Sequence, residues 1–255
     1  MTKLKIGVYG IAGCSGCLLS VLFETNFLKI AELIDLKAFP LIKEDKYKGD
    51  FDLVFIEGTV TFKDDIKTIK ELRKRAKKIV ALGTCSSLGG VPTIRNFMDE
   101  KKVMKFVYPK VNYLKSVKPM PIDKYIKVDY YLPQCPPSKE EFLEFLKNIV
   151  KDIEPKEYNK PVCLECMKNE NECLLHNGIP CLGPITNGGC DALCHSNRFE
   201  CYGCRGPYKD ANLKAFIKLL EEKGYNKKAI KDRITVFSGL KFEELNEMIS
   251  KWLEK

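Results

Sequence analysis

Apolar and polar positions change rhythm several times along the chain. Lys5-Ile6-Gly7-Val8-Tyr9 is a short β-rich run ending near a glycine. Asp52-Leu53-Val54-Phe55-Ile56, Lys78-Ile79-Val80-Ala81-Leu82 and residues 128–132 repeat that character and predict further strands. Between these runs the period lengthens. Residues 17–34 read as a buried helix through Leu18, Val21, Leu22 and Phe23, then Phe27, Ile30 and Leu33. Phe62, Ile66, Ile69 and Leu72 fall at helical spacing among Lys and Asp residues that suit a surface helix. Ser138, with Glu141 three residues on, is a capping-box start for a helix over 140–150. Strands alternating with helices predict a parallel sheet covered on both faces.

After about residue 155 the texture changes. Eight cysteines lie between Cys163 and Cys204, among Gly, Pro and Asn and with almost no periodic apolar pattern. Such a stretch cannot bury a core unaided, so bound metal is expected to supply much of its folding energy. Leu213, Phe216, Ile217 and Leu220 then mark one helix, and Phe242, Leu245, Ile249 and Trp252 a second that packs back as a terminal clamp. The expected organisation is a flavodoxin-like, doubly wound α/β domain over residues 1–155. A loop-rich metal-binding domain with C-terminal helices follows over 156–255.

Composition narrows the chemistry. The chain has 255 residues, is 45% hydrophobic and can bury a real core. It holds 12 cysteines against 2 histidines. Disulfide frameworks belong mostly to short secreted chains. The opening residues have only a very short apolar run and no small-residue cleavage site, which argues against a secretory signal. No apolar run approaches the ~20 residues of a membrane helix. The expectation is a soluble, cytoplasmic protein whose cysteines bind metal rather than one another. The net charge is +9, and residues 101–128 concentrate eight lysines with the single acid Asp123, alongside Pro109, Pro119 and Pro121. This stretch reads as a solvated, partly irregular connection or as a docking face for an acidic protein. No helix-turn-helix, zinc-finger or RNA-binding signature surrounds it, so nucleic acid is not an expected partner.

The cysteines fall into fours. Cys14 and Cys17 form a CxxC in the loop after the first strand, Cys85 follows the strand ending at Leu82, and Cys135 follows the strand ending at Leu132. In a doubly wound sheet these three loops share the carboxyl edge, where ligands bind. Four soft thiolates suit zinc or an iron–sulfur cluster. Gly13 and Gly16 let backbone N–H groups approach the sulfurs. Cys163, Cys166, Cys173 and Cys181 make a second set, and Cys190, Cys194, Cys201 and Cys204 a third. Two structural zinc sites would also fit the CxxC pairs of the last eight. A row of three complete sets makes more sense as an electron path, for which structural zinc has no redox chemistry.

Gly13-Cys14-Ser15-Gly16-Cys17, Ile56-Glu57-Gly58-Thr59-Val60, Gly83-Thr84-Cys85, Cys135-Pro136-Pro137, Cys181-Leu182-Gly183-Pro184 and Cys201-Tyr202-Gly203-Cys204-Arg205-Gly206 occur in that order. In order and spacing they resemble the small subunit of nickel–iron hydrogenases, over nearly the whole chain. The similarity is greatest to the cytoplasmic, multi-subunit branch: sulfhydrogenase delta subunits and the small subunits of the viologen-reducing hydrogenases of methanogens. The resemblance implies an electron-transfer subunit with three 4Fe-4S clusters. Cys14, Cys17, Cys85 and Cys135 would hold the proximal cluster, Cys190, Cys194, Cys201 and Cys204 the medial, and Cys163, Cys166, Cys173 and Cys181 the distal.

By the same resemblance, hydrogen chemistry belongs to a separate nickel–iron large subunit. A further flavin or iron–sulfur subunit would accept the electrons. Cys163 stands where the respiratory branch has a histidine ligand, and Cys194 where it has a proline. Both departures, and the lack of a twin-arginine signal, fit the cytoplasmic branch. Glu57 reads either as a group that positions the proximal cluster or moves protons, or as a carboxylate accepting backbone N–H bonds. His176 and His195 lie among cysteines already counted in fours and read as neighbours of the sites rather than ligands. Arg205 reads as a cluster or partner contact or as a surface residue, and Pro136 and Pro137 as fixing the loop of Cys135. A quinone-reductase-like subunit would account only for the first domain and one cluster, and a structural zinc protein for no electron path.

Overall fold

The computed structural model describes residues 3–22, 32–42, 46–108, 110, 116–155 and 157–242. The chain divides into two compact units, Met1–Lys156 and Glu157–Lys255.

In chain order the first unit contains β1 (Leu4–Gly10), α1 (Gly16–Leu22), β2 (Ile34–Ala38), β3 (Phe51–Glu57), β4 (Val60–Phe62), α2 (Lys63–Arg75), β5 (Ala76–Leu82) and α3 (Gly83–Leu88). There follow α4 (Glu100–Val107), β6 (Ser116–Met120), β7 (Tyr130–Leu132) and α5 (Lys139–Val150). Five strands form one parallel sheet in the order β2-β1-β3-β5-β7. Numbered within the sheet this is 2-1-3-4-5, the flavodoxin-like order, whose direction reverses between β1 and β3.

Side chains of the central strands alternate between two cores, as a pleated strand requires. Ile6, Val8, Leu53, Phe55, Val80 and Leu82 face one side, where they meet Leu18 and Val21 of α1 and Phe142, Phe145 and Leu146 of α5. Tyr9, Val54, Ile56, Ile79 and Ala81 face the other, with Ile69 and Leu72 of α2. Phe55 packs on Phe142 and Phe145 with ring centroids 5.2 and 6.0 Å apart. Local chemistry fixes the helix starts. Asp65 Oδ2 accepts the Thr61 and Phe62 backbone N–H groups, each at 2.8 Å, at the head of α2. Ser138 Oγ accepts the Glu141 N–H at 3.0 Å at the head of α5, as the expected capping-box start requires.

Two expectations change here. The helix read over 17–34 overran a strand, since Ile34 opens β2 and Leu33 is exposed. Ile34-Asp35-Leu36-Lys37-Ala38 alternates with the period of a strand, and pairing with β1 wins over helical continuation. Phe23, Phe27 and Ile30 lie outside the described residues. The lysine-rich stretch is less irregular than its prolines suggest: α4 runs into it, and β6 pairs antiparallel with β4. The side chains of Arg95 and Asn96 hold β6 by donating to the carbonyls of Val117 and Pro119.

The second unit contains α6 (Val162–Lys168), α7 (Leu193–Ser196), α8 (Leu213–Glu222) and α9 (Lys227–Thr235). The cysteine-rich stretch shares an apolar core with the helices that follow it. Leu182, Ile185, Leu220 and Ile234 are all buried, and α8 packs on the short 3-10 turn Gly183–Ile185. The sequence pattern missed α9, which starts at Asn226, whose side chain accepts the Ala229 N–H at 2.9 Å. Leu245, Ile249 and Trp252 of the expected terminal clamp lie outside the described residues. Among the described residues no helix is long and apolar enough to cross a membrane.

Candidate functional site

The switch point of the sheet is built from the ends of β1 and β3. The chain leaving β1 stays tied to β3: Ile11 N–H donates to the Glu57 carbonyl at 2.9 Å, and Thr59 N–H to the Ala12 carbonyl at 2.8 Å. This fixes the loop that carries Cys14 and delivers Cys17 into α1. Cys85 sits in α3, directly after β5, and the Thr84 N–H donates to the Gln134 carbonyl at 3.1 Å, joining that turn to the Cys135 loop. The four are close enough to interact: Cys135, Cys85 and Cys14 make Cys17 harder to ionise, Cys135 and Cys14 do so to Cys85, and Cys14 to Cys135. Cys17 is buried, Cys85 half-buried, and Cys14 and Cys135 exposed at the edge.

Burial, more than mutual repulsion, pushes the Cys85 thiol up to about 11, against the Thr59 hydroxyl, which holds it down. Burial likewise raises Cys17 and Cys135. Thiols held this way are protonated near neutral pH and need a cation to replace the protons before they can ligate. Backbone crowds the sulfurs closely. A Cβ at Gly83 would overlap Cys17 Sγ, one at Gly90 would lie 2.9 Å from Cys85 Sγ, and one at Gly16 3.3 Å from Cys14 Sγ. Gly16 N–H points at Cys14 Sγ at 3.4 Å. Four grouped soft donors, with glycine wherever a side chain would intrude, fit an iron–sulfur cluster by donor chemistry.

Glu57 is buried at the same edge, its carboxyl raised by burial and partly restored by the Ser15 N–H. A Cβ at Gly13 would lie 2.6 Å from Glu57 Oε1, so the CxxC loop wraps this carboxyl with no room for a side chain. Both readings of Glu57 share this geometry: it accepts a backbone N–H and raises Cys17, Cys85 and Cys135.

In the second unit Cys163, Cys166, Cys173 and Cys181 form a mutually interacting set, and burial raises the Cys163 thiol to about 12. A Cβ at Gly183 would lie 3.2 Å from Cys163 Sγ and 3.5 Å from Cys181 Sγ. Of the last four, Cys201 interacts with Cys204 and also with Cys181. Cys190 faces Glu165 and Arg205, and Cys194 faces Glu200 and Arg233. Among the described residues no three His, Cys, Asp or Glu side chains lie close enough to share a single metal ion.

Four residues gain roles that spacing could not assign. Glu165, between the cysteines of α6, accepts the Gly189 N–H at 2.6 Å and the Ala192 N–H at 3.2 Å, and Cys190 Sγ lies 3.8 Å from its Oε2. Arg233 of α9 donates to the Pro180 and Cys201 carbonyls, pairs with Glu200 at 3.1 Å and lies over the Tyr202 ring. His195 is buried with Nε2 3.0 Å from Cys181 Sγ, whereas His176 is exposed. Arg205 is buried rather than at the surface, and its Nε donates to the Gly188 carbonyl. Only a fold shows these contacts, because each joins segments that are separate in sequence or buries a side chain whose sequence neighbours are polar.

Comparison with known proteins bears on the same residues. Residues 14–149 match the family described as NADH ubiquinone oxidoreductase, 20 Kd subunit. The chain is 38% identical to the delta subunit of sulfhydrogenase 2 of Pyrococcus furiosus, over 86% of this chain and 93% of that protein. It is 30% identical to a subunit of the vhu F420-non-reducing hydrogenase of Methanocaldococcus jannaschii, over 80% of this chain and 82% of that one. A solved NAD+-reducing [NiFe]-hydrogenase in the H2-reduced state matches with a TM-score of 0.53 and 30% identity, covering 61% of this chain and 96% of its own. A Ni-Fe-Se hydrogenase from Desulfomicrobium baculatum shares the fold, with a TM-score of 0.57 at 15% identity over 80% of this chain and 94% of that chain. The first relative extends well past residue 149 and so takes in the cysteine-rich second unit. The chain belongs to the small-subunit family of nickel–iron hydrogenases.

Proposed function

We propose that this chain conducts electrons for a cytoplasmic hydrogenase through three 4Fe-4S clusters, each held by four of its twelve cysteines. Hydrogen chemistry lies on a large subunit that covers the sheet edge, and a flavin or iron–sulfur subunit takes the electrons onward. The observation that carries this reading is the switch-point edge, where Cys14, Cys17, Cys85 and Cys135 converge from three loops and glycines leave the sulfurs room. When bound, iron–sulfur clusters supply one-electron carriage at potentials set by charge, burial and hydrogen bonds to sulfur.

The chain's own residues do the rest. Exposed Cys14 and Cys135 face outward, where a partner seals the site from water. Glu57 shapes the CxxC loop through the Ser15 N–H and holds negative charge or a proton beside three of the four thiols. In the second unit, Cys163, Cys166, Cys173 and Cys181 hold the distal cluster and Cys190, Cys194, Cys201 and Cys204 the medial one.

Iron and sulfide analysis of the anaerobically purified complex tests the reading. The expected content is about twelve iron and about twelve sulfide per copy of this chain, four of each per cysteine set. A colourless protein carrying two or three zinc ions would overturn it.

A further inference from the structure

His195 follows Cys194 in α7 and is buried, with 7% of its surface exposed. Its Nε2 lies 3.0 Å from Cys181 Sγ. Its Nδ1 is buried without a hydrogen-bond partner. A neutral imidazole carries one N–H. On Nδ1 that proton would be a buried donor with nothing to accept it, at the full cost of its desolvation. On Nε2 it points at sulfur. The geometry therefore selects the tautomer that donates to Cys181.

The same sulfur receives two backbone donors, the Cys201 N–H at 3.4 Å and the Gly183 N–H. Two of its three donors thus come from the 190–204 segment, one on Cys201 itself and one beside Cys194. Hydrogen bonds to a ligating sulfur stabilise the more negative, reduced state and raise the potential. We propose that His195 is a positioning residue that raises the reduction potential of the site containing Cys181, and that its Nε2–H···Sγ bond is a direct hydrogen-bonded link from the segment of one C-terminal cysteine set to a sulfur of the other. The inference rests on the reading of these thiols as cluster ligands. A single electron leaving one set enters the other, and the His195 proton stays on Nε2.

The test is a redox titration of the intact complex, with dithionite and mediators, followed by electron paramagnetic resonance. His195→Phe fills the space without a donor, and His195→Gln keeps an N–H. In His195→Phe one midpoint should fall so that the reduced-to-oxidised ratio at fixed potential drops about tenfold, which is about 59 mV for one electron. The other midpoints should stay, and His195→Gln should recover most of the shift. Unmoved midpoints in a fully iron-loaded His195→Phe complex overturn the proposal.

A second measurement needs no variant. With 15N-histidine labelling, the reduced wild-type complex should show a weak histidine nitrogen coupling to one cluster, and its absence also overturns the proposal. A wild-type complex with no iron–sulfur signal on reduction removes the ligand reading itself, and the His195 inference with it.

Discussion

Two glycines with similar positive φ separate strain from crowding at the proposed proximal site. Gly83 (φ +82°) and Gly224 (φ +87°) both lie in the left-handed region. An alanine there costs roughly 1–2 kcal/mol in either case. At Gly224 nothing lies within 4 Å of the added Cβ, so strain is the whole cost. At Gly83 the added Cβ would overlap Cys17 Sγ, and overpacking adds roughly 1–3 kcal/mol if the structure adapts. The expected total is roughly 2–5 kcal/mol for Gly83→Ala against roughly 1–2 kcal/mol for Gly224→Ala.

Crowding also lands on a proposed ligand. Gly83→Ala should push the Cys17 sulfur aside and cost the complex about four of its about twelve irons. Gly224→Ala should keep them all. Iron per chain and dye reduction by hydrogen, measured on both purified complexes, make the comparison. Full iron and unchanged dye reduction in Gly83→Ala would show that Cys17 does not need the space Gly83 leaves, and the reasoning would fail.

Other outcomes follow from the same structure. Cys17→Ser puts a harder oxygen donor among thiolates. Dye reduction should fall strongly while hydrogen isotope exchange, which needs no electron export, persists; normal dye reduction would remove Cys17 from the path. Cys194→Pro should leave three irons at its site and raise that potential, with a new three-iron signal in the oxidised protein and hydrogen production slowed more than oxidation. An unchanged spectrum would mean that Cys194 is not a ligand. Phe145→Ala removes a ring packed on Phe55 and Tyr130 and should cost roughly 3–5 kcal/mol in denaturant melts. Burial raises the Glu57 carboxyl. Its contribution to stability is therefore full below the ordinary carboxylate pKa and lost as pH rises through the raised value, and Glu57→Gln should flatten that part of a stability–pH curve.

Much of this architecture is legible in the sequence because the signals are local. The β-rich runs at β1, β3 and β5 and the Ser138 cap need no knowledge of neighbours. The strand-end positions of Cys85 and Cys135 follow once the sheet is recognised as parallel. What escaped was decided by competition or distance. Ile34–Ala38 has an alternating pattern, but it continues an apolar helical stretch, and only the open edge of β1 resolves the choice. α9 presents few apolar residues and depends on its Asn226 cap. Glu165, His195 and Arg233 look like ordinary polar residues until segments remote in sequence are brought together.

The grip of Glu165 has a consequence for how the second unit is assembled. One carboxylate on the helix of Cys163 and Cys166 holds the turn that carries Cys190 through two backbone amides. Displacing that helix therefore costs the hydrogen bonds that hold the Cys190 turn. The thiols of both sets are also pushed upward by burial, so each ligand formed must release a proton. If both sets hold clusters as proposed, their loading should be coupled, with half-loaded chains scarce and loading faster in alkaline buffer, and iron counts on partly reconstituted protein would check this.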